Sequence, residues 1–211
     1  SEVGVFQFTE SSWLFIVDPN AAVYAIAGTP DDTAYFFGGA FSDVGYLRII
    51  KVSLVPVGIT ALGTGLDDTC YAIWTPDGTA VYAGGAFANA GGSAAAKVAY
   101  WSGSAWSAIG TGMNGNVYAI KGRSVQPRSS AAFADMEVYF GGAFTKAAGV
   151  TVNRVAKLNA AGDSFTALGS GMNGTVYALE IRPNGWVYAG GAFTTAGGKT
   201  VNRVARWNGS A

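Results

Sequence analysis

The chain contains no histidine, so any chemistry must come from carboxylates, cations or its single thiol. Asp67-Asp68 places two carboxylates side by side in a loop that reads Gly-Met-Asn-Gly at Gly112 and again at Gly171. Such a pair suggests a cation site. A hard cation takes six or more oxygen ligands, and no third carboxylate accompanies the pair, so a solvated turn is expected, with no metal and no cofactor. Cys70 stands alone where sister segments carry Val23, Val117 and Val176, the position of a small buried hydrophobe. A basic residue recurs at Arg48, Lys97, Arg154 and Arg203, and a second series runs Lys51, Tyr100, Lys157 and Arg206. These series could hold an anion, but long cationic stems more often cover apolar surface and reach a carbonyl or a neighbouring unit. The position occupied by Ala27, Trp74, Lys121 and Glu180 varies while its neighbours do not, and an ion pair between Lys121 and Glu180 is expected. Paired acid and base roles need two carboxylates. Only Glu180 lies in an inner segment, so no catalytic residue is assigned and no enzyme is expected, with a glycoside-acting enzyme as the remote alternative.

The elements that position these residues are repeated. Gly-Gly-Ala-Phe starts at Gly38, Gly84, Gly141 and Gly190, with gaps of 46, 57 and 49 residues. Tyr-Ala-Ile or Tyr-Ala-Leu starts at Tyr24, Tyr71, Tyr118 and Tyr177. The long gap reduces to a ten-residue insertion between two strands, within Gly122 to Asp135. Each unit reads as four strands. Strand A is Val-Tyr-Ala-Ile and strand B runs into Gly-Gly-Ala-Phe, with hairpin signals such as Pro76-Asp77-Gly78 between them. A small-residue loop precedes strand C, such as Asn202 to Trp207, and a tight turn leads to strand D, such as Trp106 to Gly110.

A period of this length selects an all-β propeller of about four four-stranded blades. A β-trefoil has three units and a β-solenoid a shorter period. One domain is expected over residues 1–211, with units near 22–65, 69–112, 116–171 and 175–211. Residues 12–17, read as a strand D, are expected to complete the last blade and close the ring. Val5 to Phe8 resembles a strand C that a closed four-bladed ring does not accommodate, so an arc of a larger propeller stays open as an alternative.

At Val187-Tyr188-Ala189-Gly190-Gly191 an apolar strand ends in paired glycines, with Trp101, Trp207 and Trp106 in the outer strands. On these residues the chain resembles kelch and galactose-oxidase-type propeller repeats. The phrase GGAFTTAGGKTVNRVARWNGSA is similar to repeats of large bacterial surface or secreted proteins and of phage proteins. The resemblance implies the fold and an extracellular, cell-surface or virion setting. Copper chemistry does not carry over, because that metal site needs histidines.

Composition narrows the function classes. Thirteen basic and thirteen acidic residues leave no net charge and no basic run, so nucleic acid is not an expected partner. No apolar stretch is long enough to insert in a membrane, and no signal peptide is visible. Glycine, at 31 of 211 residues, is about twice the usual ~7% share, as turn-rich structure requires. In a propeller the B–C and D–A loops share one face. Their polar groups, Asp67, Asp68, Asn114, Asn173, Thr145, Thr194 and Thr195, are the candidate ligand-binding residues, and Trp74, Lys121 and Glu180 are candidates for the channel. The expected activity is binding or adhesion to a surface glycan or protein. A structural scaffold that packs against its own copies is the alternative, with Val52 to Ile59 and the Gly122–Asp135 insertion, which carries Arg123 and Arg128, as contact surfaces.

Overall fold

Turn residues cut the chain into short strands whose backbone groups must pair sideways. A computed structural model describes residues 5–8, 13–17, 20–42, 47–54, 56–124 and 136–210. A hairpin of β1 (Val5–Phe8) and β2 (Trp13–Val17) comes first. Unit 1 comprises β3 (Val23–Gly28), β4 (Ala34–Gly39), β5 (Ile49–Leu54) and β6 (Val57–Ala61). Unit 2 comprises β7 (Cys70–Trp74), β8 (Val81–Gly85), the short pair β9 (Asn89–Ala90) and β10 (Ser93–Ala94), β11 (Val98–Trp101) and β12 (Trp106–Ala108). Unit 3 comprises β13 (Val117–Ser124), β14 (Met136–Gly142), β15 (Lys146–Ala147), β16 (Val150–Thr151), β17 (Val155–Leu158) and β18 (Phe165–Ala167). Unit 4 comprises β19 (Val176–Ile181), β20 (Val187–Gly191), β21 (Thr195–Ala196), β22 (Lys199–Thr200) and β23 (Val204–Trp207).

The sheets run β3-β4-β5-β6, β7-β8-β11-β12, β13-β14-β17-β18 and β19-β20-β23, all antiparallel. Each is a propeller blade, and the strands A of consecutive blades (β3, β7, β13, β19) lie side by side. The core lies between blades. Ile73, Cys70 and Phe36 join blades 1 and 2, Val117, Ile120 and Val98 join 2 and 3, and Val176, Leu179 and Val155 join 3 and 4.

The paired glycines make this stacking possible. A Cβ on Gly39, Gly85, Gly142 or Gly191 would lie 2.0–2.1 Å from the carbonyl oxygen of Ala22, Thr69, Asn116 or Thr175. A Cβ on Gly38, Gly84 or Gly141 would instead meet the next blade's Ile73 at 2.7 Å, Val117 at 2.5 Å or Val176 at 2.6 Å. The first glycine is thus a socket for the following blade and the second a close approach within its own.

Three features depart from the sequence reading. First, β2 does not complete blade 4. It pairs with β1, Phe8 opposite Trp13, in the register that sets Trp101 opposite Trp106. The hairpin therefore has the form of a C–D pair standing before blade 1, and Val5 to Phe8 has its place there. The strands D share a pattern that β2 lacks: Ile59-Thr60-Ala61-Leu62, Trp106-Ser107-Ala108-Ile109 and Phe165-Thr166-Ala167-Leu168 all set Ala against strand C. Second, Gly122 to Ser124 prolong β13, so only 125–135 of the insertion, with Arg128, lie outside the described residues. Third, the B–C loops of blades 2, 3 and 4 are each a hairpin of two-residue strands, that of blade 1 lying partly outside the described residues. The turn is Gly91-Gly92, Ala148-Gly149 or Gly197-Gly198, with φ between 44° and 80° at both central positions, the geometry that matches strand twist.

Candidate functional site

Strand A of every blade carries one extra residue opposite the paired glycines. The pairing steps from Val23↔Gly39 to Ala25↔Gly38, and the same skip falls at Tyr71, Tyr118 and Tyr177. A bulge frees its residue from the ladder and re-aims it. All four freed tyrosines join one row along the inner strands, with ring centroids 5.4, 5.2 and 5.6 Å apart for Tyr24–Tyr71, Tyr71–Tyr118 and Tyr118–Tyr177. Tyr24 and Tyr177 are more than half exposed, at 55% and 57%, and the middle two are partly so. In the sequence these tyrosines are repeat markers. Their common spacing was visible, but the bulge that turns them to one side was not.

Further along the same inner strands Lys121 and Glu180 form the expected ion pair at 3.4 Å, with both side chains about half exposed. Trp74 lies across the next blade instead. Its ring occupies the space a side chain at Gly122 would need, and it tilts against Tyr82 at 5.4 Å.

The loop face is tied together by its own polar groups. The Asn114 carboxamide oxygen accepts from the backbone N–H of Thr145 and Lys146, and its nitrogen donates to Thr145 Oγ1 at 2.9 Å. Asn173 repeats this with Thr194 and Thr195. Asp67 accepts from the N–H of Ala88 and Asn89 and from the Asn89 side chain. Burial would raise the Asp67 pKa, but the donors from Asn89 and Ala88 outweigh it and hold the carboxyl below its ordinary value. Asp68 turns away and accepts from the N–H and hydroxyl of Thr69. Asn20, accepting from the N–H of Ser42, is the blade 1 member of the series, which sequence reading passed over. The D–A and B–C loops do share a face, and backbone bridges Leu66↔Ala90, Met113↔Ala147 and Met172↔Ala196 join them.

The recurring cations are structural. Arg48, Lys97, Arg154 and Arg203 all adopt φ of 65–74°, and each donates to the carbonyl of the alanine in its own Gly-Gly-Ala-Phe: Ala40, Ala86, Ala143 and Ala192. Lys51 reaches the Gly78 carbonyl of the next blade at 3.0 Å. Glu137 gathers Arg123 and Lys157, both at 2.6 Å. Burial alone would raise the Glu137 pKa, but hydrogen bonds and charge from the two cations keep it below the usual carboxylate value. Arg123 also donates to the Pro183 carbonyl, fastening blade 3 to the A–B turn of blade 4. Cys70 is fully buried in the Gly38 socket, and burial pushes its thiol up to about 12, which leaves it protonated and unreactive. Within the proposed apolar contact segment Val52 is buried, whereas Val57 is 75% exposed.

With this geometry in place, comparison with known proteins bears on the fold. The family profile described as "Domain of unknown function (DUF5122) beta-propeller" matches residues 137–163 and 182–209, the strand B to strand C stretches of blades 3 and 4. This is a β-propeller repeat chain. Two solved structures superpose on it: "Structure of U3-55K", at 16% identity and a TM-score of 0.56, and "Crystal structure of RRP9 WD40 repeats", at 15% and 0.55. Each alignment covers 83% of this chain and 47% of the other, so the chain spans about half the length of these propellers. No curated protein matches the chain. A likeness at such identity concerns fold alone, and propellers host many functions.

Proposed function

We propose that this propeller is a non-catalytic binding module whose inner tyrosine row holds a surface carbohydrate. One observation carries the reading: four strand bulges, each opposite paired glycines, spend their extra residue on presenting a tyrosine to the same row. Aromatic faces beside phenolic hydroxyls suit sugar rings, which offer apolar C–H faces and hydroxyl edges. The Lys121–Glu180 pair adds charged partners beside the row. The clamped loops contribute a rigid rim. The low charge of the chain and its likeness to surface repeats support an extracellular or virion setting. A glycan array probed at high protein concentration tests the reading. Binding that Tyr118→Ala abolishes is expected; a blank array, or binding only to proteins on a cell surface, overturns it.

A second reading, a scaffold unit packed against other propeller units, rests on the free face of blade 4. Gly190 has the socket form, yet a Cβ there would meet only Ala178 at 4.0 Å. Val204 is 63% exposed, where its counterparts Val98 and Val155 are buried. Under this reading the chain self-associates in light scattering and Val204→Glu returns it to monomer; a wild-type monomer at high concentration removes it.

A further inference from the structure

Two cavities open on the loop face at equivalent places between neighbouring blades. One, of ≈ 390 Å³, lies between blades 3 and 4, and the other, of ≈ 350 Å³, between blades 1 and 2. Both have the same floor. Met172 donates its backbone N–H to the Asn153 carbonyl at 2.9 Å, as Leu66 does to Leu47 at 3.1 Å. Gly171 and Gly65 stand beside these contacts at φ of 71° and 73°, and a Cβ there would lie 2.5 or 2.3 Å from the same carbonyl oxygen. The rim is open in each, because nothing lies within 4 Å of a Cβ on Gly198 or Gly92. Gly149 leaves the same space, and Gly92 and Gly149 both sit in blades with four paired strands, so the opening belongs to the repeat.

On this shared frame the chemistry differs. The cavity between blades 1 and 2 is lined by Leu47, Thr64, Asp67 and Asn89, and the charge among its described lining residues is the Asp67 carboxylate. Between blades 3 and 4 the counterparts are Asn153, Ser170, Asn173 and Thr195. Arg154 joins them, and no carboxylate is among the described lining residues. Arg154 donates to the Ala143 carbonyl through Nη1 alone, so Nε and Nη2 keep their donors. The Asn153 carboxamide nitrogen donates to the Ser170 carbonyl at 2.9 Å. Its oxygen has no protein partner among the described residues, nor do the hydroxyls of Ser170 and Thr195. A guanidinium fork among hydroxyls is suited to an oxyanion. The volume falls within the roughly 300–1,000 Å³ of small-molecule sites, more than a bare ion needs.

We infer that the cavity between blades 3 and 4 is a binding site for an acidic sugar, a pyranose that carries a carboxylate. The Arg154 fork takes the carboxylate, and Ser170, Thr195 and Asn153 take ring hydroxyls. The cavity between blades 1 and 2 rejects the same ligand, because the Asp67 carboxyl, held below its ordinary pKa by the donors of Asn89 and Ala88, stays ionised. The site shares no residue with the tyrosine row, and its occupation does not depend on that row.

The test titrates the isotopically labelled 211-residue chain with D-glucuronate, D-glucose and sodium sulfate at constant ionic strength, following backbone amide shifts by NMR. Saturable shifts are expected with glucuronate at Ser170–Asn173 and Thr195, and none at Thr64–Asp67. Sulfate, which lacks the ring hydroxyls, and glucose, which lacks the carboxylate, are each at least about tenfold weaker. Arg154→Lys keeps the link to Ala143, as Lys97 keeps the one to Ala86 in blade 2. It loses the fork, and weakens glucuronate binding at least about tenfold. Ser170→Asp, at an exposed loop position, weakens it likewise by repulsion while thermal unfolding stays cooperative. Glucose as strong as glucuronate, sulfate as strong as glucuronate (an adventitious ion only), shifts centred on Thr64–Asp67, or binding that survives Ser170→Asp overturns the proposal, whatever Arg154→Lys does to folding.

Discussion

At the scale of single residues, most of the polar side chains that look available for a ligand already have a task. Asn114 shows the logic: one carboxamide closes two backbone N–H groups and a hydroxyl, fastening the loop that enters the blade to the hairpin that crosses it. Asn114→Ala is expected to cost about 1 kcal/mol, the typical loss of a side chain that caps backbone amides, and to lower Tm by about 2–4 °C in a domain of this size. Asn114→Asp recovers most of it, because Asp67 performs the same task with a carboxylate. Thermal unfolding of the two variants checks both. Glu137 makes a prediction in pH. Its folded pKa lies below the ordinary carboxylate value because two cations face it. Its contribution to stability is therefore complete above the unfolded value and is lost as pH falls through the folded one. Urea unfolding between neutral and acid pH should show the wild type losing stability more steeply than Glu137→Gln, which is weaker at neutral pH.

At the scale of the element, the paired glycines separate what a strand needs from what its neighbour needs. Gly84→Ala thrusts a Cβ into Val117 at 2.5 Å, and Gly85→Ala into a backbone carbonyl at 2.0 Å. The second is expected to cost on the order of 3 kcal/mol or more, because backbone cannot step aside as a side chain can. Gly190→Ala, in the socket of the free face, is expected to be neutral or to stabilise by up to about 1 kcal/mol through a stiffer unfolded chain. Chemical denaturation of the three variants orders them. A Gly190→Ala loss as large as that of Gly84→Ala would mean that the blade 4 face is filled. Strand order within each blade, the A–B turns and the sharing of one face by the two loop series were legible in the sequence, because the recurring Gly-Gly-Ala-Phe and turn triplets such as Pro76-Asp77-Gly78 and Pro183-Asn184-Gly185 report local turns. The bulges were not. A bulge is a mismatch between two strands, and Tyr24 or Tyr71 reads as an ordinary inner-strand residue until its partner glycines are in register beside it. The two-residue hairpins escaped for a similar reason, since Ala and Thr among glycines carry little strand signal.

At the scale of the molecule, the blades form an arc in which, among the described residues, the Gly190 face of blade 4 is unfilled. Spacing along the chain put Trp13 eleven residues before Tyr24, close to the twelve between Trp106 and Tyr118. That spacing identifies a strand D but not the sheet it joins. Hydrogen-bond partners are chosen in space, and β2 pairs with Val5–Phe8. The tyrosine row, in contrast, belongs to the arc as a whole, because no single blade supplies more than one ring. Its four members make the function a property of the repeat rather than of any one motif. The most direct measurement is a calorimetric titration of an array-selected glycan into wild type, Tyr71→Ala/Tyr118→Ala and Tyr71→Phe/Tyr118→Phe. The row predicts at least about tenfold weaker binding for the alanine pair, as loss of aromatic anchors brings, and near wild-type binding for the phenylalanine pair, with cooperative unfolding in all three. Equal binding by wild type and the alanine pair would contradict it.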